Sequence, residues 1–387
     1  MEKDKQYKIA MVLFTHGIDY DDRIRKEILS VQKIYPNVSF KIFAVENGKN
    51  REESGISSYG VPYRIPYLKS RDKYASGSHT LAKAWDFYKT IKNDLKPFDA
   101  VWCADPETFM VVLMTRGKPV VWDLHELPLS FMYNPLLKFL FKYLEKKVTV
   151  MIHANQPRLD YLREIGLVNH VDKQYVLRNY PQFNEIDEEY DDTYKLFVEW
   201  KRDSKCVYLQ GLNNASRAAE ESIKAVLKFE KLKGVVVGGF DQNIKDKLIA
   251  EFGDEYLNSR ICFLGRIKQL KTPQYIRECC LGLVFYKKTS PNNWYCEPNR
   301  LFQNVINGNP VVVGSNPPMK DFVDKGGFGI SVDTDGSDVS KIVEGLNYVL
   351  QNYDTIKNNI NNSSDYALWD SQECTIMSVI NKCFEEI

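Results

Sequence analysis

A chain of 387 residues with 52 Lys and Arg against 51 Asp and Glu carries a net charge of +1, so no basic field recommends it to nucleic acid. That length suits two α/β-sized domains, each with a core of its own. Eight cysteines without a C-x-x-C spacing, Cys279 and Cys280 adjacent, argue against a disulfide framework or a zinc site and for buried thiols in a reducing cytosol. Residues 1–7 are polar and the first apolar run, 9–14, is only strand-length, so neither a signal peptide nor a transmembrane helix is expected. No internal repeat or low-complexity tract is visible.

Residues 8–15 read as an apolar strand, and the loop 16–22 leads into a helix carrying Ile24, Ile28, Leu29 and Val31. Strands at 39–45 and 61–68 and a helix near 78–95 follow. The strand 100–103 ends in Ala104-Asp105. After a helix at 106–116, the strand 119–122 runs into Asp123-Leu124-His125-Glu126. A helix at 135–147, a strand at 149–153, a helix at 156–165 and a strand at 175–177 complete this half. Strictly alternating strands and helices predict a parallel sheet with helices on both faces. The helix PLLKFLFKYLEKK at 135–147 interleaves Leu136, Phe139, Leu140, Tyr143 and Leu144 with Lys138, Lys142 and Lys146. Such a basic amphipathic helix either lies on an anionic membrane or packs as a core helix between two strands; the apolar face is expected to be buried against the sheet.

The acidic, apolar-poor run NEIDEEYDD at 184–192 reads as a connection. A second alternating series begins with strand 206–209, helix 216–232, strand 235–237, helix 242–252, strand 261–264, helix 272–279 and strand 281–286. The run WYCEPNRLFQNVINGNPVVVG at 294–314 is then the most informative. Pro298 is preset for the first turn of a helix. Leu301, Phe302, Val305 and Ile306 form its buried stripe, with Arg300, Gln303, Asn304 and Asn307 on the opposite, polar face. Gly308 suits the left-handed position after the helix, Pro310 forbids continuation, and Val311–Val313 is a buried strand. A helix start beside an arginine is a ready site for an anion such as a diphosphate. A strand at 329–332 and a helix at 338–352 follow, and a helix at 370–386 is left over. Two open α/β domains in series place a ligand in a cleft between them, at the carboxyl ends of the strands.

Taken as an ordered set, these runs resemble the retaining glycosyltransferases of family 4, of bacterial polysaccharide type, from residue 8 to the last helix. EPNRLFQNVINGNPVVVGSNPPMKDFV is similar to the donor-binding "PNK/PNR-L-F-E … G-x-P-V-[IV]" of that family, and YLQGLNNASRAAEESIKA to its "Y-x-G-x(5)-[KR]-G-x-x-x-L-I-x-A". VVVGGF loosely matches "[VI]-[VI]-G-x-G" and lacks the third glycine and downstream acid of a dinucleotide fingerprint, which disfavours a dehydrogenase. ICFLGRI resembles "V-x-F-x-G"; DYDDRIRKEI resembles "D-x-R-[VI]-x-[KR]-E"; PVVWDLHELP resembles "V-[VY]-D-x-H-E".

The resemblance implies a GT-B fold, with two Rossmann-like doubly wound parallel-sheet domains and a cleft between them. Residues 1–184 would be the acceptor domain, 185–204 a linker, 205–365 the donor domain, and 366–387 a helix crossing back to the first. It implies a nucleoside diphosphate sugar donor, UDP- or GDP-linked, a saccharide or lipid-linked saccharide acceptor, no cofactor and no metal. Gly211, Arg217, Gly239, Arg266, Glu297, Asn299, Arg300, Leu301 and Gln303 would hold the donor. His125, Arg217 and Arg300 would be catalytic, and His16, Gly17, Arg23, Asp105 and Glu126 would lie on the acceptor side. The expected location is cytoplasmic, with any membrane contact peripheral, at the inner face.

Blander readings stand beside these. His125 is otherwise a buried structural histidine, Arg23 part of a solvated helix start with i,i+4 charge pairs, and Arg266 a surface residue. Asp19-Tyr20-Asp21 and Asp333-Thr334-Asp335 match the D-x-D metal motif of the GT-A fold, at a length that chance often supplies. One departure is plain. The family commonly has two glutamates eight positions apart, the second on the donor ribose; here they are Tyr295 and Gln303, with Glu297 two residues out of register. Gln303 keeps a carbonyl acceptor without the charge. A nucleotide-sugar 2-epimerase and a non-catalytic sugar-nucleotide-binding subunit are the competing functions.

Overall fold

The computed structural model describes residues 5–15, 17–48, 50–75, 77–182, 190–268 and 271–385. The chain divides into two compact units, Met1–Asn179 with Gln372–Ile387, and Tyr180–Ser371.

The first unit is built on eight strands: β1 (Tyr7–Thr15), β2 (Val38–Glu46), β3 (Glu53–Ile56), β4 (Pro62–Ile65), β5 (Ala100–Ala104), β6 (Val120–Leu124), β7 (Val150–His153) and β8 (Gln174–Val176). Their order is β3-β4-β2-β1-β5-β6-β7-β8. β1 runs beside β2 in parallel from Tyr7 opposite Val38 to Thr15 opposite Glu46, and beside β5 from Ile9 opposite Ala100. β1, β5 and β6 are apolar along nearly their whole length, as strands covered on both faces must be. The alternation is not strict: β3 pairs antiparallel with β4. Its sequence, ESGI, has no apolar run and is half-exposed, so it closes the sheet edge without contributing to the core. Strand order reverses between β1 and β5, where an open α/β sheet gathers its ligands.

The helix Pro135–Lys147 starts and stops as the sequence predicts but turns the other way. Of the five apolar residues in the predicted buried row only Leu144 is buried, with Phe141 beside it. Leu136, Phe139 and Tyr143 are exposed. The helix Glu373–Phe384 belongs to this unit, burying Ile376, Val379, Ile380 and Cys383. Phe384 lies against the Tyr7 ring at 4.5 Å, and Lys33 pairs with Glu373 at 2.6 Å.

The second unit holds β9 (Lys205–Gln210), β10 (Leu232–Val237), β11 (Ile261–Gly265), β12 (Leu281–Val284), β13 (Val311–Val313) and β14 (Gly329–Ser331). All pairings are parallel in the order β11-β10-β9-β12-β13-β14, the doubly wound arrangement, reversing between β9 and β12. The helix Asn299–Ile306 has Pro298 as its N-cap, one residue earlier than its predicted role. Leu301, Phe302 and Val305 are buried, but so are Arg300, Gln303 and Asn304. The polar side of this helix faces the protein, because Gly282 on β12 leaves room for Asn304 to pack against it. Further helices form at Asp192–Lys201, Asp254–Arg260, Pro317–Gly326 and Tyr353–Ser363. The first lies inside the stretch assigned to the linker; residues 184–189 of the acidic connection 184–192 lie outside the described residues. All eight cysteines are free, and among the described residues no helix is long and apolar enough to cross a membrane.

Candidate functional site

In the first unit the carboxyl ends of β5 and β6 bring together Asp105, Asp123 and His125. Asp123, fully buried, receives Arg23 side-on: Nη2 lies 2.9 Å from Oδ1 and 3.1 Å from Oδ2, and Nε 3.3 Å from Oδ2. Arg23 also donates from Nη1 to the Leu177 carbonyl at 2.9 Å, and its Nε lies 2.9 Å from Glu27 Oε1. His125 stands between two carboxylates, Nε2 3.2 Å from Asp123 and Nδ1 3.5 Å from Asp105, with 18% of its side chain exposed. Arg158 Nη1 fixes the His125 carbonyl.

Burial alone would lower the pKa of this imidazole, but the charges on Asp105 and Asp123 outweigh it and raise it to about 10. His125 is therefore an imidazolium at neutral pH, with both nitrogens donating toward carboxylates. Burial would raise the pKa of Asp123, yet Arg23 and His125 hold it well below the usual carboxylate range. Glu27 goes the other way, pushed up first by burial and then by the charge on Asp123. Burial lifts Asp105 to about 6 against the pull of His125. Asp105 also sits at φ 70°, a region a non-glycine residue occupies at a cost. Four hydrogen bonds hold it there: its N–H donates to Asp123 O, and its carbonyl accepts from Trp122 Nε1, Thr108 Oγ1 and Thr108 N. Glu27, Asp123 and His125 offer ligand atoms within 4.8 Å of one another, the one such group among the described residues. Arg23 already supplies the cation those carboxyls need, so the set does not suit a metal.

In the second unit the sites cluster where β9 and β12 part. Arg300, 6% exposed, donates from Nη1 to Gln210 O and from Nη2 to Phe285 O at 3.1 Å. Its guanidinium lies over the Tyr286 ring, 4.9 Å from the centroid, and Arg217 lies over the same ring at 5.5 Å. Arg217 Nη1 donates to the Gly211 carbonyl at 2.8 Å. Gly211 has φ +67°, and a Cβ there would come within 2.8 Å of Arg217 Nη1 and 3.8 Å of Arg300 Nη1. A glycine is needed at this turn so that two guanidiniums fit beside the backbone. Neither arginine forms an ion pair among the described residues, and Arg300 Nε is buried without a partner. Burial, with Arg217 adding to it, lowers the pKa of Arg300 from an ordinary value high enough that the charge persists. The fully buried Asn316 secures the Tyr286 loop, Nδ2 donating to Tyr286 O at 3.0 Å and Asn293 O at 3.3 Å.

The sequence-predicted residues fall in different settings. Arg23 is no solvated helix residue: it is buried, with its donors committed to Asp123, Glu27 and the Leu177 carbonyl. Leu301, 0% exposed, is core, and Gly17 is buried with its N–H on Thr15 Oγ1. Glu126, Gly239 and Arg266 are exposed, and Glu297 and Asn299 are half-buried at the helix start. Gln303 is buried, and its side-chain amide makes no hydrogen bond among the described residues. His16 lies outside the described residues. In the two D-x-D runs, Asp19 accepts from Ser58 N, Asp21 caps the helix Asp22–Ile34, and Asp335 accepts from Lys288 N, which accounts for these three as turn and cap residues. Asp123, Glu27 and Tyr286 were not singled out as site residues. Asp123 and Glu27 stood inside the quoted motifs, whereas nothing in the sequence marks Tyr286.

No family model matches this sequence, and no curated protein matches it. Solved structures do. The chain is similar to a sucrose-phosphate synthase from Thermosynechococcus elongatus, with a TM-score of 0.77 at 14% identity over 99% of this chain and 100% of that one. It is similar to a UDP-forming α,α-trehalose-phosphate synthase from Burkholderia xenovorans, with a TM-score of 0.70 at 12% identity over 96% and 98%. A third likeness is to Anabaena HepE in complex with UDP and glucose, with a TM-score of 0.70 at 14% identity over 97% and 100%. At such identities the likeness is one of fold: the chain has the GT-B architecture of two Rossmann-like parallel-sheet domains.

Proposed function

We propose that this chain is a retaining glycosyltransferase of the family-4 type, moving a sugar from a UDP- or GDP-linked donor to a saccharide or lipid-linked saccharide in polysaccharide synthesis. The observation that carries the reading is the pair Arg217 and Arg300 on one Tyr286 ring, with no carboxylate paired to either among the described residues. A buried guanidinium without a counter-charge is costly, and an anionic ligand offsets that cost. A diphosphate matches two such forks beside a glycine turn at the switch point of a doubly wound sheet. HepE, similar in fold, has been seen with UDP and glucose, which supports a nucleotide-sugar donor.

The chemistry follows from the charges. The bond between the anomeric carbon and the diphosphate oxygen breaks, negative charge gathers on that oxygen, and Arg217 and Arg300 stabilise it as it forms. The acceptor hydroxyl attacks the same face of the sugar, and its proton passes to the departing phosphate. No protein nucleophile is required. His125, already protonated and held by two carboxylates, is unsuited to taking that proton; on the acceptor side it supplies a fixed positive charge. Calorimetry with UDP, GDP and their sugars tests the reading, followed by donor turnover in excess chelator. Binding of a nucleoside diphosphate and turnover without metal are expected. If none binds, the proposal fails; if manganese restores a turnover lost to chelator, the metal-free mechanism fails.

The neutral Gln303 favours one second reading, a sugar-nucleotide-binding subunit without catalysis. It would bind the same nucleotide and leave the donor intact with every acceptor.

A further inference from the structure

The helix Pro135–Lys147 has two apolar sides. Phe141 and Leu144 point inward, Phe141 packing 5.1 Å from Trp122 and 5.6 Å from Phe131, ring centroid to centroid. Opposite them, Leu136 is 75%, Phe139 72% and Tyr143 52% exposed, with Tyr133 just before the helix at 69%. At about 100° per residue, Leu136, Phe139 and Tyr143 fall within an arc of about 60°. A surface helix ordinarily turns polar residues outward, and a run of large apolar side chains on a surface marks a contact. Lys138, Lys142 and Lys146 recur every fourth residue and so line one edge of that stripe. None of the three forms an ion pair among the described residues. Glu145, the only acid in the helix, is turned inward at 1% exposure, where it accepts from Asn169 N at 3.1 Å and His170 N at 2.8 Å and pairs with His170 Nδ1 at 2.6 Å. The outward face is therefore apolar and positive, without a negative charge of its own.

We propose that this face docks on a membrane surface containing anionic lipid. Apolar contact alone would suit many partners, but an uncharged one would leave three ammonium groups at its rim unanswered. Anionic headgroups answer them while the lysine stems and the stripe enter the interface. The face is preformed: Asn134 caps the helix, accepting from Leu136 N at 3.0 Å and Leu137 N at 3.2 Å, and Lys173 Nζ closes the far end on the carbonyls of Lys146 at 2.7 Å and Val148 at 2.9 Å. This inference does not depend on the proposed transferase activity. The test is sedimentation of the full chain with vesicles of phosphatidylcholine alone, or with about one-third phosphatidylglycerol. Binding is expected only to the anionic vesicles. Replacing Lys138, Lys142 and Lys146 together by Gln should weaken it on the order of a hundredfold, since each lysine near such a surface contributes about fivefold. Leu136→Ser with Phe139→Ser should weaken it at least about tenfold with an unchanged unfolding midpoint. A Tyr133→Trp reporter should shift its emission to the blue on anionic vesicles. Absence of binding, variants that bind like the parent, an unshifted reporter, or a dimer dissolved by the Leu136 and Phe139 substitutions would each overturn the proposal.

Discussion

A buried cation is either a strut or a reserved contact, and Arg300 separates the two. Arg300→Met keeps the stem and removes two charge-assisted bonds, to the carbonyls of Gln210 and Phe285. At about 1.5–3 kcal/mol each, roughly 3–6 kcal/mol of interaction disappears. The same change relieves the protein of a desolvated guanidinium that no carboxylate compensates, a burden of several kcal/mol. The opposing terms nearly cancel, so the unfolding free energy should move by no more than about 2 kcal/mol in either direction. Nucleotide binding has no such compensation. Loss of a charge-assisted contact to the diphosphate should cost about 2–4 kcal/mol, roughly 30- to 1000-fold in Kd for UDP or GDP. Urea denaturation supplies the first number and calorimetry the second. Arg300→Lys, which keeps the charge but loses the planar stack on Tyr286, should fall between parent and methionine variant. A stability loss above about 4 kcal/mol with nucleotide affinity unchanged would make Arg300 a strut and remove the basis for the donor site.

On the same helix, Gln303→Ala should cost only about 1 kcal/mol of nucleotide affinity, and Gln303→Glu should be neutral or better if a ribose hydroxyl is its partner; a glutamate that abolishes binding would refute that contact. The His125 imidazole should keep its proton through neutral pH and release it near pH 10, and Asp105→Asn should bring that midpoint down; an NMR titration that breaks near pH 6.5 in the parent would contradict the carboxylate bracket. Because this pKa is raised in the fold, its contribution to stability is fully present below about pH 6.5 and lost as pH climbs toward 10. Glu27, also raised, contributes stability below its unfolded pKa of about 4.3 and loses it as pH rises, so Glu27→Gln should gain on the parent in alkaline urea melts; an equal or lower stability there would show Glu27 ionised in the fold.

Local signals were legible and long-range ones were not. The apolar and lysine pattern of 135–147 announced a helix, and the apolar run Val311–Val313 between Pro310 and Gly314 announced a buried strand; both stand where the sequence puts them. The helix Pro317–Gly326 went unread because its two prolines look like loop residues, although the first turn tolerates them. β3 escaped because an edge strand needs no apolar run. Arginine at position 300 was legible, but its burial was not: periodicity assigned it to a polar face, and only the packing of Asn304 against Gly282 turns that face inward. Arg23 meets Asp123 across 100 positions of sequence, and a motif that spans a few residues cannot announce such a bond. Which side of Pro135–Lys147 faces the core was likewise undecidable from periodicity, because both sides are apolar.

The helix Glu373–Phe384 has a bearing on how the protein is made. The first unit opens at β1 and is closed by a helix whose contacts with it, such as Lys33 to Glu373 and Tyr35 to Asn381, join residues 340 and 346 positions apart. A ribosome must therefore deliver every residue of the second unit before the first can be completed. At ~5–20 residues per second, β1 waits on the order of tens of seconds for its last covering. The second unit, Tyr180–Ser371, is continuous in sequence and has no such delay. The later-synthesised half is thus free to fold first, and the nascent first unit is the stretch a chaperone would be expected to hold.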